Sequence, residues 1–188
     1  FMLGATAGRT TLSGEGLQHQ DGNSHLLAYP VPTLKAYDPA FAYELAAVIK
    51  HGIHEMYEQN ENTFYYITLG NENYVQRPQP ENVKEEDILS GMYCYRRSTL
   101  RSDKKAHVFG SGAILNEAIK AADILESKYQ VSADVWSITS YKQLHQNAMD
   151  IERWNVLNPS DRKETTIEQR LKKETDVFVC ASDYTKAM

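Results

Sequence analysis

The sequence predicts an α/β fold with mostly parallel sheets, and two patterns carry this prediction. From about residue 106 the predicted elements alternate strand, helix, strand, helix, strand, which is typical of parallel strands covered by helices. Residues 1–76 alternate as well, although they open in an irregular segment. The 188 residues correspond to one large domain or to parts of two.

The elements of the first part follow from local composition. The first 30 residues are rich in Gly, Ser, Thr, Asn and Gln, which favours a loop. Residues 32–37 are predicted as a short strand. Asp38-Pro39 has the form of an N-cap followed by proline, and apolar residues at three- and four-residue spacing predict a helix over 39–58. The β-branched and aromatic run at 63–69 predicts a strand.

The second part begins with two prolines among polar residues around 76–82, which indicate an extended linker. A pair of strands at 91–98 and 106–110 follows, joined by a polar turn. An apolar stripe from Leu115 to Leu125 predicts a helix. The remaining predictions are a strand at 133–139, a helix at 141–149, a short helical piece at 167–171 and a strand at 177–181.

Composition and charge exclude several classes of protein. A formal net charge of −5 disfavours nucleic-acid binding, which needs a basic face. No apolar run approaches the ~20 residues that span a bilayer. The two cysteines, Cys94 and Cys180, favour reduced thiols in a cytoplasmic protein over a disulfide framework. Both chain ends look cut, because the chain opens in a loop and stops after an uncovered strand, so we expect a piece of a longer protein.

Residues 8–25, which read GRTTLSGEGLQHQDGNSH, form the segment best suited to chemistry. Its glycines permit close approach of a ligand, and its histidines exchange protons near neutral pH. Such a loop suits an acid/base site. Two alternatives remain open on residue type alone. One is a polar surface loop, and the other is a zinc site at His19, Asp21 and His25, although this spacing fits no standard zinc pattern.

This string resembles the central-domain loop of the homodimeric pyruvate dehydrogenase decarboxylating component. Further similar segments follow in the same order along the chain, at 37–44, 71–74, 110–112, 132–135 and 152–155. The resemblance implies parts of two transketolase-like domains of a thiamine-diphosphate enzyme. Residues 1–76 would end the central pyrimidine-binding domain, 77–97 would be a linker, and 98–188 would begin the C-terminal domain.

The resemblance also implies roles for individual residues. His19 and Glu15 would be the catalytic pair, with His19 shuttling a proton or stabilising negative charge and Glu15 positioning and holding a neighbour's charge. His25 and Asp21 would bind substrate. Asn23 stands where the family commonly has histidine, so no role is assigned to it. No complete cofactor site and no metal site is expected within these 188 residues.

For the longer protein, the resemblance implies thiamine diphosphate and magnesium as cofactors and pyruvate as substrate. The acetyl group would pass to lipoyl groups of a dihydrolipoyl acetyltransferase core, and a second subunit would complete a homodimer. The chain alone is expected to be inactive and to bind no cofactor. The alternatives are a piece of a transketolase-like sugar-transferring enzyme and a non-catalytic assembly or dimerisation module.

Overall fold

The computed structural model describes residues 1–6, 16–70 and 72–188, and these residues form two sheets covered by helices. The elements that build the first sheet and its helices are β1 (Met2–Thr6), α1 (Ser24–Ala28), β2 (Leu34–Tyr37), α2 (Ala42–Ile53) and β3 (Phe64–Leu69). The elements of the second sheet and its helices are α3 (Glu85–Leu89), β4 (Met92–Arg96), β5 (Lys105–Gly110), α4 (Ile114–Tyr129), β6 (Ser132–Ile138), α5 (Tyr141–Leu157), α6 (Thr166–Leu171) and β7 (Val177–Ala181).

The strand order confirms the predicted fold class. The first sheet has the order β1-β3-β2, and both pairs of strands are parallel. The second sheet has the order β4-β6-β5-β7, in which β5 is parallel to both neighbours and only β4 is antiparallel. Parallel strands need crossover helices, and α2, α4 and α5 with α6 supply them. Strand β6 lies at the centre, and all seven of its residues are buried.

Two predictions in the first part were wrong in detail. Residues 2–6 are not part of a loop but form β1, which pairs with β3 from Met2↔Tyr65 to Thr6↔Leu69. The predicted helix at 39–58 begins only at Ala42, with Phe41 as its N-cap, and continues as a π-helical turn over His54–Glu58. Asp38 is therefore not a helix cap, and its carboxylate is free for other contacts.

The predicted strand pair in the second part was also wrong. Strands β4 and β5 are not neighbours, because β6 lies between them and pairs with each. The predicted linker at 77–97 contains α3 and β4, and its longest stretch without regular structure is residues 77–84. Helix α5 extends to Leu157, beyond the predicted end at 149.

Apolar residues from both sheets share the same core. Phe41, just before α2, packs in one cluster with Val108 of β5 and the buried face of α4. In a second cluster, Tyr65 of β3 packs with Ile88 of α3 and Tyr93 of β4. Burial of apolar surface is the main favourable term in folding, so these clusters join the two sheets into one packed unit.

Glu44, in the first turn of α2, adds a buried polar link between the sheets. Its Oε1 accepts hydrogen bonds from the hydroxyls of Tyr93 (2.5 Å) and Ser137 (2.7 Å) of the second sheet. Its Oε2 accepts from the backbone N–H groups of Ala40 and Phe41. Burial raises the pKa of Glu44, although these four hydrogen bonds oppose the shift. A buried carboxylate is tolerated when its oxygens are bonded in this way.

Lys142 of α5, which belongs to the second sheet, makes another buried polar link, to backbone carbonyls of the first part of the chain. Its side chain is buried, and its Nζ donates to the carbonyl oxygens of Ala28 (2.8 Å), Tyr29 (2.9 Å) and Val31 (2.8 Å). These carbonyls lie at the end of α1 and in the turn that follows it. An ammonium group has three hydrogens to donate, and each finds a carbonyl here. Burial lowers the pKa of Lys142.

We expect limited proteolysis to begin in the segment 76–82. Gln76, Arg77, Pro78 and Gln79 are exposed and have no regular structure, and proteases cut such segments first because few contacts must break. Digestion of the folded chain with a low dose of a broad-specificity protease, followed by mass spectrometry of the first fragments, tests this. The residues of α2 serve as the internal control, and first cuts within α2 would contradict the prediction.

Two further expectations concern the cysteines and the membrane. Cys94 and Cys180 are both free thiols, as their low number predicted. Burial raises the pKa of the Cys94 thiol to about 11, so this thiol is a poor nucleophile at neutral pH.

Within the described residues, no helix combines the length and the apolar character needed to cross a bilayer.

Candidate functional site

The loop singled out by its sequence leads from the carboxyl end of β1 to α1. Open α/β sheets bind ligands at the carboxyl ends of their strands. Glu15 lies outside the described residues. The described part of the loop opens at Gly16, whose carbonyl accepts from the His19 N–H (3.2 Å), and residues 17–19 form a 3₁₀ turn. Gly16 has φ +90°, which favours glycine. His19 is exposed on this turn and available to a ligand.

Asp21 organises the start of α1. Its Oδ1 accepts from the backbone N–H groups of Asn23 and Ser24, both at 3.0 Å, and its Oδ2 accepts from the Ser24 hydroxyl. Burial raises the pKa of Asp21, but these hydrogen bonds outweigh burial and hold the pKa below its usual value. A carboxylate at the start of a helix satisfies amides that have no partner within the helix. These contacts give Asp21 a structural role beside its predicted contact with substrate.

His25 lies on α1 and is buried, with 1% of its surface exposed. Its Nε2 is 2.9 Å from Thr68 Oγ1, and its ring packs edge-on against Tyr66 and Tyr184 at centroid distances of 5.5 and 4.8 Å. Burial lowers the pKa of His25 to about 4, against the opposing effect of the Asp21 carboxylate. The ring is therefore neutral at pH 7. Its burial favours a positioning role over the predicted contact with substrate.

Asp38 extends this network from the end of β2. Its Oδ1 accepts from the Thr68 hydroxyl (2.6 Å) at the end of β3 and from the Tyr184 hydroxyl (3.1 Å) beyond β7. Burial raises the pKa of Asp38 to about 6, although the hydrogen bonds from Thr68 and Tyr184 act in the other direction. At pH 7 and above, Asp38 is therefore mainly ionised inside the protein.

The backbone of Asp38 joins the carboxyl edges of the two sheets. Its N–H donates to the Thr139 carbonyl (2.8 Å) after β6, and its carbonyl accepts from the Gly112 N–H (3.0 Å) after β5. At Gly112, φ is +50° and a Cβ would lie 2.6 Å from the Asp38 carboxylate, so only glycine fits. The Thr185 N–H donates to the Gly22 carbonyl (2.8 Å), which ties the candidate loop to the second sheet.

A separate cluster on the second sheet consists of His107, Asp134 and Glu174, whose ligand atoms lie within 4.8 Å of one another. Arg97 Nη1 lies 2.7 Å from Asp134 and 2.5 Å from Glu174, and Lys105 Nζ lies 3.1 and 3.0 Å from the same residues. Two cations therefore already balance the two carboxylates. We interpret the cluster as an ion-pair network, because magnesium would have to displace both basic side chains.

That cluster is the sole potential metal-ligand group in the part of the chain that the structure describes. The zinc site considered from the sequence is not formed by its three residues, His19, Asp21 and His25. His25 is bonded to Thr68, and Asp21 is bonded to the start of α1. The described residues thus offer no site that fits magnesium with a diphosphate.

Sequence reasoning missed Asp38, Thr68, Tyr184 and Lys142 as contributors to the site. Asp38 follows β2 and Thr68 is the penultimate residue of the neighbouring β3, so both lie at carboxyl ends of adjacent parallel strands. This placement was available from the predicted strands, because carboxyl ends of neighbouring parallel strands meet at one edge. Tyr184 and Lys142 carried no comparable signal, since their partners are distant in sequence.

Two protein-family models match the chain. Residues 1–77 match the pyruvate dehydrogenase E1 component middle domain, and residues 91–188 match the transketolase-like TK C-terminal domain. Between them the two matches include both sheets and the candidate loop.

Among curated proteins, the chain is 43% identical over 187 residues to the pyruvate dehydrogenase E1 component of Pseudomonas aeruginosa, covering 99% of this chain and 21% of that protein. It is 49% identical over 160 residues to the pyruvate dehydrogenase E1 component of Mycobacterium tuberculosis, covering 85% of this chain and 17% of that protein. The chain thus spans 17 to 21% of the length of these two relatives.

Among solved structures, transketolase from Leishmania mexicana superposes with a TM-score of 0.68 at 14% identity, covering 98% of this chain and 23% of that chain. At this identity the likeness shows the fold alone. It agrees with the two mostly parallel sheets described above.

Proposed function

Because the chain belongs to the pyruvate dehydrogenase E1 component family, we propose that it forms one wall of the active site in a longer subunit. That subunit decarboxylates pyruvate and passes the acetyl group to lipoyl groups of a dihydrolipoyl acetyltransferase. The observation that carries the proposal is the exposed His19, on a turn of the loop whose later residue His25 bonds Thr68 at the carboxyl end of β3. This end of a parallel sheet is where α/β proteins bind ligands.

In this proposal each residue of the loop has a distinct task. His19 holds or moves a proton at an oxygen of the substrate, a task for which imidazole is suited near neutral pH. Glu15, four residues earlier in the same loop, has a positioning role and holds the charge of a neighbour. Asp21 and His25 keep the far end of the loop in place through α1. No role is proposed for Asn23.

The cofactor of the family is thiamine diphosphate. The described residues do not fit its magnesium and diphosphate, since their single candidate ligand cluster is already neutralised by Arg97 and Lys105. We therefore propose that another part of the subunit holds the diphosphate and magnesium. A homodimer and a cytoplasmic location belong to the same proposal.

A sugar-transferring function is the less favoured alternative. The likeness to transketolase structures is at low identity and shows the fold, whereas the relatives above 40% identity are pyruvate dehydrogenase E1 components. Activity of the longer subunit on ketose phosphates but not on pyruvate would reverse this order.

We expect the isolated 188-residue chain neither to bind thiamine diphosphate measurably nor to release carbon dioxide from pyruvate. A single wall of a pocket offers few contacts, and ordering its loop costs roughly 1–2 kcal/mol per residue. Isothermal titration with thiamine diphosphate and magnesium, together with a carbon dioxide release assay, measures both.

The full-length subunit that contains this sequence is the positive control and should perform both functions. Micromolar binding by the isolated chain, or turnover that survives removal of full-length enzyme, would contradict the proposal that other parts of the subunit are needed. A full-length subunit without activity on pyruvate would contradict the proposed reaction itself.

A further inference from the structure

We propose that Thr68 and Asp38 are positioning residues that fix His25 as its Nε2–H tautomer and, through His25, hold the turn that carries His19. This inference rests on the proposed function, in which His19 handles a proton. It concerns the hydrogen-bond chain Asp38–Thr68–His25, which lies behind the loop and is buried.

The tautomer follows from counting hydrogens on the Thr68 hydroxyl. Thr68 Oγ1 lies 2.6 Å from Asp38 Oδ1, 2.9 Å from His25 Nε2 and 3.3 Å from the Tyr37 carbonyl. It has one hydrogen, and an ionised carboxylate can only accept. The hydrogen must therefore point to Asp38, which leaves only lone pairs for His25. Nε2 of His25 then has to carry a hydrogen and donate it.

The other ring nitrogen is left without a hydrogen. Burial lowers the pKa of His25 to about 4, so the neutral ring has a single N–H at pH 7. Nδ1 is buried and has no hydrogen-bond partner among the described residues. A buried acceptor without a partner is destabilising, because no hydrogen bond compensates for its loss of contact with water. Either neutral tautomer leaves Nδ1 without a partner, so the Thr68 hydroxyl, and not Nδ1, selects the hydrogen on Nε2.

The ring is one of the contacts that hold α1 and the preceding turn, beside the bonds of Lys142 and Thr185. Helix α1 has only five residues, and helices this short depend on tertiary contacts for their position. Five residues separate His19 from His25, so a shift of the ring is passed to the turn over a short tether. Misplacing a reacting group by about 1 Å can cost roughly 10²-fold in rate.

Packing alone does not fix the orientation of the ring. Tyr66 and Tyr184 contact it edge-on, and these contacts hold its position but do not distinguish one nitrogen from the other. The hydroxyl of Thr68 makes that distinction. Thr68→Val keeps the shape of the side chain and removes the hydroxyl, whereas Thr68→Ser keeps the hydroxyl, so this pair separates orientation from packing.

The first test is nitrogen-15 NMR of the histidine rings in the 188-residue chain at pH 7.5. For the wild type we expect His25 with a hydrogen on Nε2 and none on Nδ1. Thr68→Val should give a mixture of tautomers, and Thr68→Ser should retain the wild-type pattern. Thr63→Val is the matched control, because Thr63 directly precedes the opposite end of β3 and its hydroxyl donates to the Thr33 carbonyl. A wild-type ring with its hydrogen on Nδ1 would overturn the proposal.

The second test is kinetic and uses the full-length subunit. Thr68→Val should lower kcat by roughly 10- to 100-fold while KM for pyruvate changes by less than about threefold, and Thr68→Ser should stay near the wild type. A rise in KM at unchanged kcat would show that His25 contacts substrate directly and would overturn the positioning role. The NMR test does not depend on turnover, so absent activity in the wild type would count against the proposed function alone.

Discussion

Replacing His19 by alanine in the full-length subunit is expected to lower the rate of acetyl transfer from pyruvate by roughly 10²–10⁴-fold, the range typical for loss of a positioned acid/base group. The fold should be unaffected, because His19 is exposed and lies on a 3₁₀ turn outside the shared core. Steady-state turnover with pyruvate, measured beside the circular dichroism spectrum and melting temperature of the variant, is the decisive experiment.

His54→Ala is the matched control for this variant. His54 is also exposed, and its Nδ1 lies 2.8 Å from the Glu58 carboxylate in the π-helical turn after α2. Helix α2 runs back toward the amino edge of the first sheet, so His54 is remote from the candidate loop. We expect its removal to leave turnover near that of the wild type. Full turnover in a folded His19→Ala subunit would remove His19 from the proposed chemistry.

Lys142→Met should destabilise the 188-residue chain by about 2–4 kcal/mol, as judged from charge-assisted hydrogen bonds lost and carbonyls left buried. Nζ bonds three carbonyls, and the Tyr29 carbonyl has no other hydrogen bond among the described residues, whereas the Ala28 and Val31 carbonyls each keep a backbone partner. The methionine carries no charge, so the variant no longer has the cost of burying an ammonium group, and this offsets part of the loss. Urea unfolding of the wild type and the variant measures the change in the free energy of unfolding. The comparison holds when both proteins show the same dependence of that free energy on urea concentration.

Lys50→Met is the control for this second variant. Lys50 bonds Glu85 at 2.8 Å, but both side chains are largely exposed, and such pairs contribute little to stability. The same chemical change should therefore have a much smaller effect at position 50 than at position 142. Equal losses in the two variants would mean that the buried contacts of Lys142 are not the cause.

The elements predicted best from sequence were those whose own pattern determines their state. Helix α4 has an apolar stripe that packs on the second sheet, and Leu115, Ala118, Ile119 and Ala122 are all buried. Strand β1 was missed because its sequence, MLGAT, has no β-branched alternation, and pairing with β3 makes it a strand. The position of β6 between β4 and β5 depends on packing of the whole chain, which no local pattern records.

Of the candidate site, only the residues that are close in sequence could be proposed from the sequence. Residues 8–25 contain His19, Asp21 and His25 within one recognisable string. Asp38 was interpreted as a helix cap because it precedes proline, whereas its carboxylate instead accepts from Thr68 and Tyr184. Lys142 finds its carbonyl partners 111 to 114 residues earlier, so its role becomes visible only in the folded chain.

The bonds of Glu44 limit how chimeric enzymes of this family can be assembled. A chimera that takes residues 1–76 from one parent and the remainder from another divides Glu44 from the Tyr93 and Ser137 hydroxyls that it binds. If the second parent lacks either hydroxyl, the chimera inherits a buried carboxylate with an unsatisfied oxygen. Compatible parents can therefore be chosen from their sequences, by comparing which residues occupy positions 44, 93 and 137.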